Sequence, residues 1–146
     1  MDEPISDETI RKLLLGTRRI AVVGASPKPD RPSYGVARFL IARGYDVTPV
    51  NPGWAGRELH GRRVAATLEE ARPLDMVDVF RRSEEAGAVV DEAIRLGARL
   101  VWLQLGVVDA AAAQRARAAG VAIVMDRCPV IEWRRLGLPA QIGDET

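Results

Sequence analysis

Gly24, Ala25 and Ser26 close an apolar run, and two cations, Lys28 and Arg31, follow within a Pro-rich loop. These residue types suit the holding of an anion. A glycine turn presents main-chain N–H groups, serine adds a hydroxyl, and Lys or Arg adds charge, a combination that suits a phosphate. The lettering is not G-x-G-x-x-G: Ser26 stands where a second glycine would, and the next glycine is Gly35. A plain turn with solvated basic residues is the simpler alternative. Four more stretches place polar or flexible residues directly after apolar runs: Asn51-Pro52, Phe80-Arg81-Arg82, Gln104-Leu105-Gly106 and Asp126-Arg127-Cys128. Arg81 or Arg82 could reach a phosphate or could be solvated. Gly106 lets a backbone approach a ligand closely. Gln104, polar at the end of an apolar run, needs a hydrogen-bond partner, which a ligand or the protein itself could supply.

Residues for making and breaking bonds are scarce. His60 is the only histidine and sits in a Gly-flanked loop, where a surface role is expected. Cys128 is the only cysteine, and nothing in the sequence links it to a base and an orienting group, so a small buried apolar role is expected. No grouping of Cys, His or carboxylates has metal-ligand spacing, and there is no Walker A. Of the three tryptophans, Trp102 reads as core, and only Trp54 is placed to reach a nucleotide. Nicotinamide-nucleotide sites usually put Asp or Glu after the second strand to hold a ribose hydroxyl. This chain has Asn51, so ordinary NAD binding is disfavoured, although Asn-Pro-Gly is also a strong turn signal.

The elements that must position these residues alternate. A short leading helix is expected over 5–16, with strands over 19–24, 46–50, 75–80, 99–105 and 121–125. Helices are expected over 34–43, from a cap at Ser83 to about Gly97, from Asp109 to Ala119, and over 129–136 with Pro129 in the first turn. Residues 53–66, with Gly53, Gly56 and Gly61, read as loop with a short extended piece at 63–65. Thr67–Glu70 reads as a capping box opening a single turn. Near-continuous apolar strands between amphipathic helices predict an α/β fold: a three-layer, doubly wound, Rossmann-like parallel sheet of five strands. Ligands of such sheets lie beyond the carboxyl ends of the strands, which is where all five stretches fall.

A length of 146 residues suits one domain, spanning 1–146 with a core of about 16–136. The net charge of +1 gives no global attraction for nucleic acid. There is no N-terminal apolar segment, and no apolar run approaches the roughly 18 residues of a membrane span. One cysteine excludes an internal disulfide framework and fits a reducing cytoplasm.

Several motifs taken in order carry a resemblance: Val22–Ser26, Tyr34-Gly35-Val36, Val50-Asn51-Pro52, Val77–Arg81, Val101–Gly106 and Met125–Cys128. Together the chain resembles the small stand-alone CoA-binding proteins. More distantly it is similar to the CoA-binding domain of the succinyl-CoA synthetase alpha subunit and of ADP-forming acyl-CoA synthetases. The resemblance implies that Gly24, Ala25 and Ser26 meet the CoA phosphates. It puts Asn51 and Pro52 against the nucleotide, and Gln104, Leu105 and Gly106 near the pantetheine arm. The synthetase has a Lys in the loop after the second strand where this chain has Trp54, a loss that Lys28 or Arg31 could offset. The synthetases use a phosphorylated histidine on a second domain and an ATP-grasp partner, and neither is represented here. The expectation is non-catalytic binding of coenzyme A or acyl-CoA, with a protein partner or homo-oligomer open. The alternatives are an NAD(P)(H)-binding oxidoreductase or redox sensor, and the CoA-site subunit of a split acyl-CoA synthetase.

Overall fold

A computed structural model describes residues 5–140. The chain opens with helix α1 (Asp7–Leu15), started by Ser6, whose hydroxyl accepts the Thr9 N–H at 3.1 Å. Strand β1 (Arg19–Val23), helix α2 (Pro32–Ala42) and strand β2 (Asp46–Val50) follow. Then come a hairpin of β3 (Glu58–Leu59) with β4 (Arg62–Arg63), strand β5 (Met76–Val79) and helix α3 (Ser83–Arg95). Strand β6 (Leu100–Leu103), helix α4 (Ala110–Ala118), strand β7 (Ala122–Val124) and helix α5 (Pro129–Arg135) complete the order.

The main sheet is five-stranded and parallel, in the order β2-β1-β5-β6-β7. Strands β5 and β6 are buried at every position, because helices cover both faces. Side chains alternate between two cores. Ile20, Val22, Met76, Leu100 and Trp102 pack against α1, α2 and α5. Ala21, Val23, Val77, Val79, Val101 and Leu103 pack against α3 and α4. This is the doubly wound three-layer fold that the alternation predicts. Among the described residues no helix is long and apolar enough to cross a membrane.

Local differences have local causes. Helix α2 starts two residues before the expected boundary, because Pro32 occupies its first turn with a preset φ. The stretch expected as loop contains the β3–β4 hairpin, turned by His60 and Gly61 at positive φ. Only two residues per strand pair there, too few for alternation to show. The capping box is only half formed: Thr67 Oγ1 accepts the Glu70 N–H, but Glu70 accepts the Ala66 N–H rather than that of Thr67, and the single turn, Glu69–Ala71, has Leu68 as its cap residue. Ser83 does not cap α3. Arg82 is the cap residue, without a side-chain bond, and Ser83 serves the loop after β6 instead. The cap of α4 is as expected, with Asp109 accepting the Ala112 N–H at 3.0 Å.

Candidate functional site

After β1 the chain turns to one side, and after β5 to the other, so these adjacent strands frame the point where strand order reverses. The turn at that point is built tightly. Gly24 has φ of +85°, and a Cβ there would overlap the Phe80 carbonyl oxygen, so glycine is required by the neighbouring strand as well as by the backbone. The Gly24 and Ala25 N–H groups both donate to Val50 O, at 3.2 and 3.3 Å. The Ser26 N–H donates to Ser33 Oγ at 3.1 Å, and Ser26 Oγ accepts the Lys28 N–H. Asn51 clamps the turn from the next strand: its Nδ2 donates to Ala25 O at 2.7 Å and its Oδ1 accepts the Gly53 N–H at 2.8 Å. The main-chain amides expected to face a phosphate are thus bonded within the protein. Lys28 and Arg31 are exposed beside them.

A groove of about 1020 Å³ opens next to this turn, between α2 and α5 and beyond the ends of β5, β6 and β7. Gly35, Val36 and Phe39 of α2 form one wall, and Val130 and Ile131 of α5 the other. Phe80, Gln104 and Cys128 lie between, with Leu105 and Val107 at one end. Arg38, Arg81, Arg82 and Arg134, with Pro32 and Ala42 of α2, complete the lining. Of the residues picked from sequence, Phe80, Arg81, Gln104 and Leu105 come together here. Gly24, Ala25, Ser26, Lys28, Arg31, Asn51 and Gly106 stand outside the lining. Pro52 borders a separate cleft of about 220 Å³ on the α3 side, which Arg81 also reaches. Gly106 shapes the loop: its N–H donates to Asp126 Oδ1 at 2.7 Å, its carbonyl accepts from Ser83 Oγ, and its φ is +81°.

The groove is apolar with cations at its lining, and the cations differ. Arg82 pairs with Glu85 at 3.1 Å. Arg38 lies over the Tyr34 ring and Arg134 over the Phe39 ring. Arg81 is exposed and makes no ion pair with any described residue. Gln104 and Asp78 are among the buried residues whose side-chain polar atoms lack partners. Gln104 is only 7% exposed and its Oε1 accepts no hydrogen bond. Asp78, fully buried on the same face one step before Phe80, has neither carboxylate oxygen bonded. It pairs in register with Val22 and Trp102, and burial pushes its pKa well above the ordinary value.

Sequence reasoning missed the part α5 plays in the groove, and it missed Cys128. The thiol is buried, as expected, but at the groove wall. The signal was available, since Cys128 follows the last strand. His60 is half-buried rather than a surface group: its Nε2 lies 2.9 Å from Tyr34 O, with the two rings edge to face. Trp54 carries Arg57 over its ring at 4.5 Å, and its buried Nε1 is unpartnered. Trp102 is core, and its Nε1 donates to Arg127 O at 2.8 Å, fixing the turn before Cys128.

A doubly wound parallel sheet with a basic-edged apolar groove at its strand ends defines a nucleotide-cofactor-binding α/β protein. Within that class, residues 18–134 match the family described as CoA binding domain, and the chain belongs to that family. It is 38% identical over 129 residues to the uncharacterized protein YneT of Bacillus subtilis (strain 168), covering 88% of this chain and 93% of that one. Among solved structures, a Thermus thermophilus protein superposes with a TM-score of 0.85 at 38% identity, covering 90% of this chain and 99% of its own. A hypothetical protein from Pyrococcus horikoshii OT3 gives 0.86 at 36% identity, covering 94% and 99%. A Rex-family repressor shares the fold at 15% identity and a TM-score of 0.58, over 85% of this chain and 63% of that one.

Proposed function

We propose that the protein binds coenzyme A or an acyl-CoA, without catalytic turnover, in the groove between α2 and α5. The observation that carries this reading is the union of an apolar groove of about 1020 Å³ with four arginines in its lining, of which Arg81 makes neither an ion pair nor a ring contact with any described residue. CoA is a long amphipathic anion. Its phosphates suit Arg81 and its neighbours, with Lys28 and Arg31 within the same approach. Its pantetheine arm is apolar between two amides, and Gln104 Oε1 offers a buried acceptor that needs an N–H. The turn at Gly24–Ser26 stands beside the groove rather than in its lining, with its amides bonded internally.

Isothermal titration with CoA tests this reading. Saturable heat at micromolar concentrations supports it, and none at high micromolar concentrations overturns it. A thermal-shift series with NADH runs beside it, because one Rex-family repressor structure is described as a complex with beta-NADH. Here the residue after β2 is Asn51, whose side chain is committed to Ala25 and Gly53, so no carboxylate grips a ribose there. A shift with CoA and none with NADH is the expected result.

A further inference from the structure

We infer that Cys128 is a thiol–disulfide exchange site for the sulfur of the bound ligand. The inference rests on the CoA reading, because CoA ends in a thiol. Cys128 is the chain's single cysteine, 7% exposed, and what it shows lines the groove. Its backbone is held on both sides: Trp102 Nε1 donates to Arg127 O at 2.8 Å, and the Glu132 N–H donates to Cys128 O at 3.0 Å. A second, independent feature of the groove points to the same ligand. Gln104 Oε1, buried and unpartnered, requires an N–H donor, and the pantetheine arm carries amide N–H groups on its way to the sulfur.

The co-reactant is the ligand's own disulfide form. The Cys128 thiol loses its proton as its sulfur attacks one sulfur of that disulfide. The new S–S bond joins Cys128 to one pantetheine, the old S–S bond breaks, and the departing sulfur leaves as thiolate and takes up a proton. One disulfide is consumed and one is formed, so no external oxidant is needed. The walls give selectivity. Glutathione disulfide would have to bring charged carboxylates and ammonium groups against Val36, Phe39 and Phe80, which is costly, whereas the pantetheine arm is uncharged.

Intact-mass spectrometry of the full chain tests this. Protein incubated with CoA disulfide is expected to gain one CoA, mapped to Cys128 and removed by dithiothreitol. The labelling rate saturates with concentration and exceeds that of glutathione disulfide by about tenfold or more, as binding raises the local concentration of the reagent. S-methyl-CoA, which can bind but not exchange, slows the labelling. Cys128→Ser gains no mass. Equal rates with the two disulfides, or no adduct on protein that gives CoA heat in titration, overturns the inference and leaves the CoA reading standing. Absence of CoA heat overturns the reading and the inference together.

Discussion

The two faces of the sheet are built from different materials. Toward α3 and α4 the core is Ala, Val, Leu and Ile, without an aromatic or a polar side chain. Toward α2 and α5 it holds Trp102, Tyr45 and Trp133, with Phe39 and Phe80 at its margin. That second face also carries Asp78, Gln104 and Cys128. Small residues let α3 and α4 close on each other: Ala86, Ala93, Ala112, Ala113 and Ala116 are fully buried. Bulky residues hold α2 and α5 apart, and the groove is the space left between them. One face is organised for packing and the other for a ligand, so substitutions on the two should separate stability from affinity.

The largest effect is expected where packing is densest. Ala113→Leu adds volume at a fully buried position of α4 in the core on this face and should cost about 3 kcal/mol in urea unfolding. CoA affinity measured below the transition should be unchanged. A loss of affinity equal to the loss of stability would mean that the faces are not independent.

Arg81→Ala tests the other face. Its guanidinium makes no ion pair with any described residue, so unfolding should move by less than about 0.5 kcal/mol. A charge-assisted contact to phosphate is worth about 1.5–3 kcal/mol, which predicts an increase of at least about tenfold in the Kd for CoA. The control is Arg115→Ala. Arg115 pairs with Asp91 at 2.8 Å on α3, and its loss should leave CoA binding alone. If both variants bind as the parent does, the rim arginines have no part in the site.

Asp78 makes the ligand face sensitive to pH. Burial raises its pKa above the ordinary 3.8, so between that value and the raised one the folded chain holds a proton that the unfolded chain has lost. Its contribution to stability is therefore full below about pH 4 and falls as pH rises through the window, by up to about 1.4 kcal/mol per unit. Asp78→Asn should remove that slope from a plot of stability against pH, with the variant gaining on the parent as pH increases. Parallel curves for the two proteins would show that the carboxyl is solvated or paired.

Much of this was legible before any coordinates. The hydrophobic runs and caps gave the five strands and their helices, because each strand is apolar and each helix amphipathic. Strand-end positions pointed to Phe80, Arg81, Gln104 and Leu105. The groove itself was not legible. It depends on how far α5 stands from α2, and no local pattern encodes a distance between elements far apart in sequence. The internal bonding of the first turn was not legible for a related reason. Gly24, Ala25 and Ser26 have the right types, but their amides meet Val50 and Ser33, partners that only the packed strands bring near. Ser83 misled in the same way, its hydroxyl being drawn from the helix start to Gly106 and Val108.

A pair of glycines gives the smallest and most direct comparison. Gly35 lies in α2 on the groove, and a Cβ there would meet nothing within 4 Å. Gly87 lies in α3, and a Cβ there would come 2.8 Å from Oδ2 of Asp109, whose Oδ1 caps α4. Neither carries a positive φ, so alanine suits both backbones and should gain about 0.5–1 kcal/mol of helix propensity. At Gly35 that gain should appear in full as a higher unfolding midpoint, with weaker CoA binding because the methyl enters the groove. At Gly87 the displaced Asp109 loses its bond to Ala112, worth about 1 kcal/mol or more, and steric strain adds to it. Gly87→Ala should therefore be neutral to destabilising, with CoA binding intact. The same methyl group then stabilises one face and not the other, and equal stabilisation at both sites would show that Asp109 does not obstruct position 87.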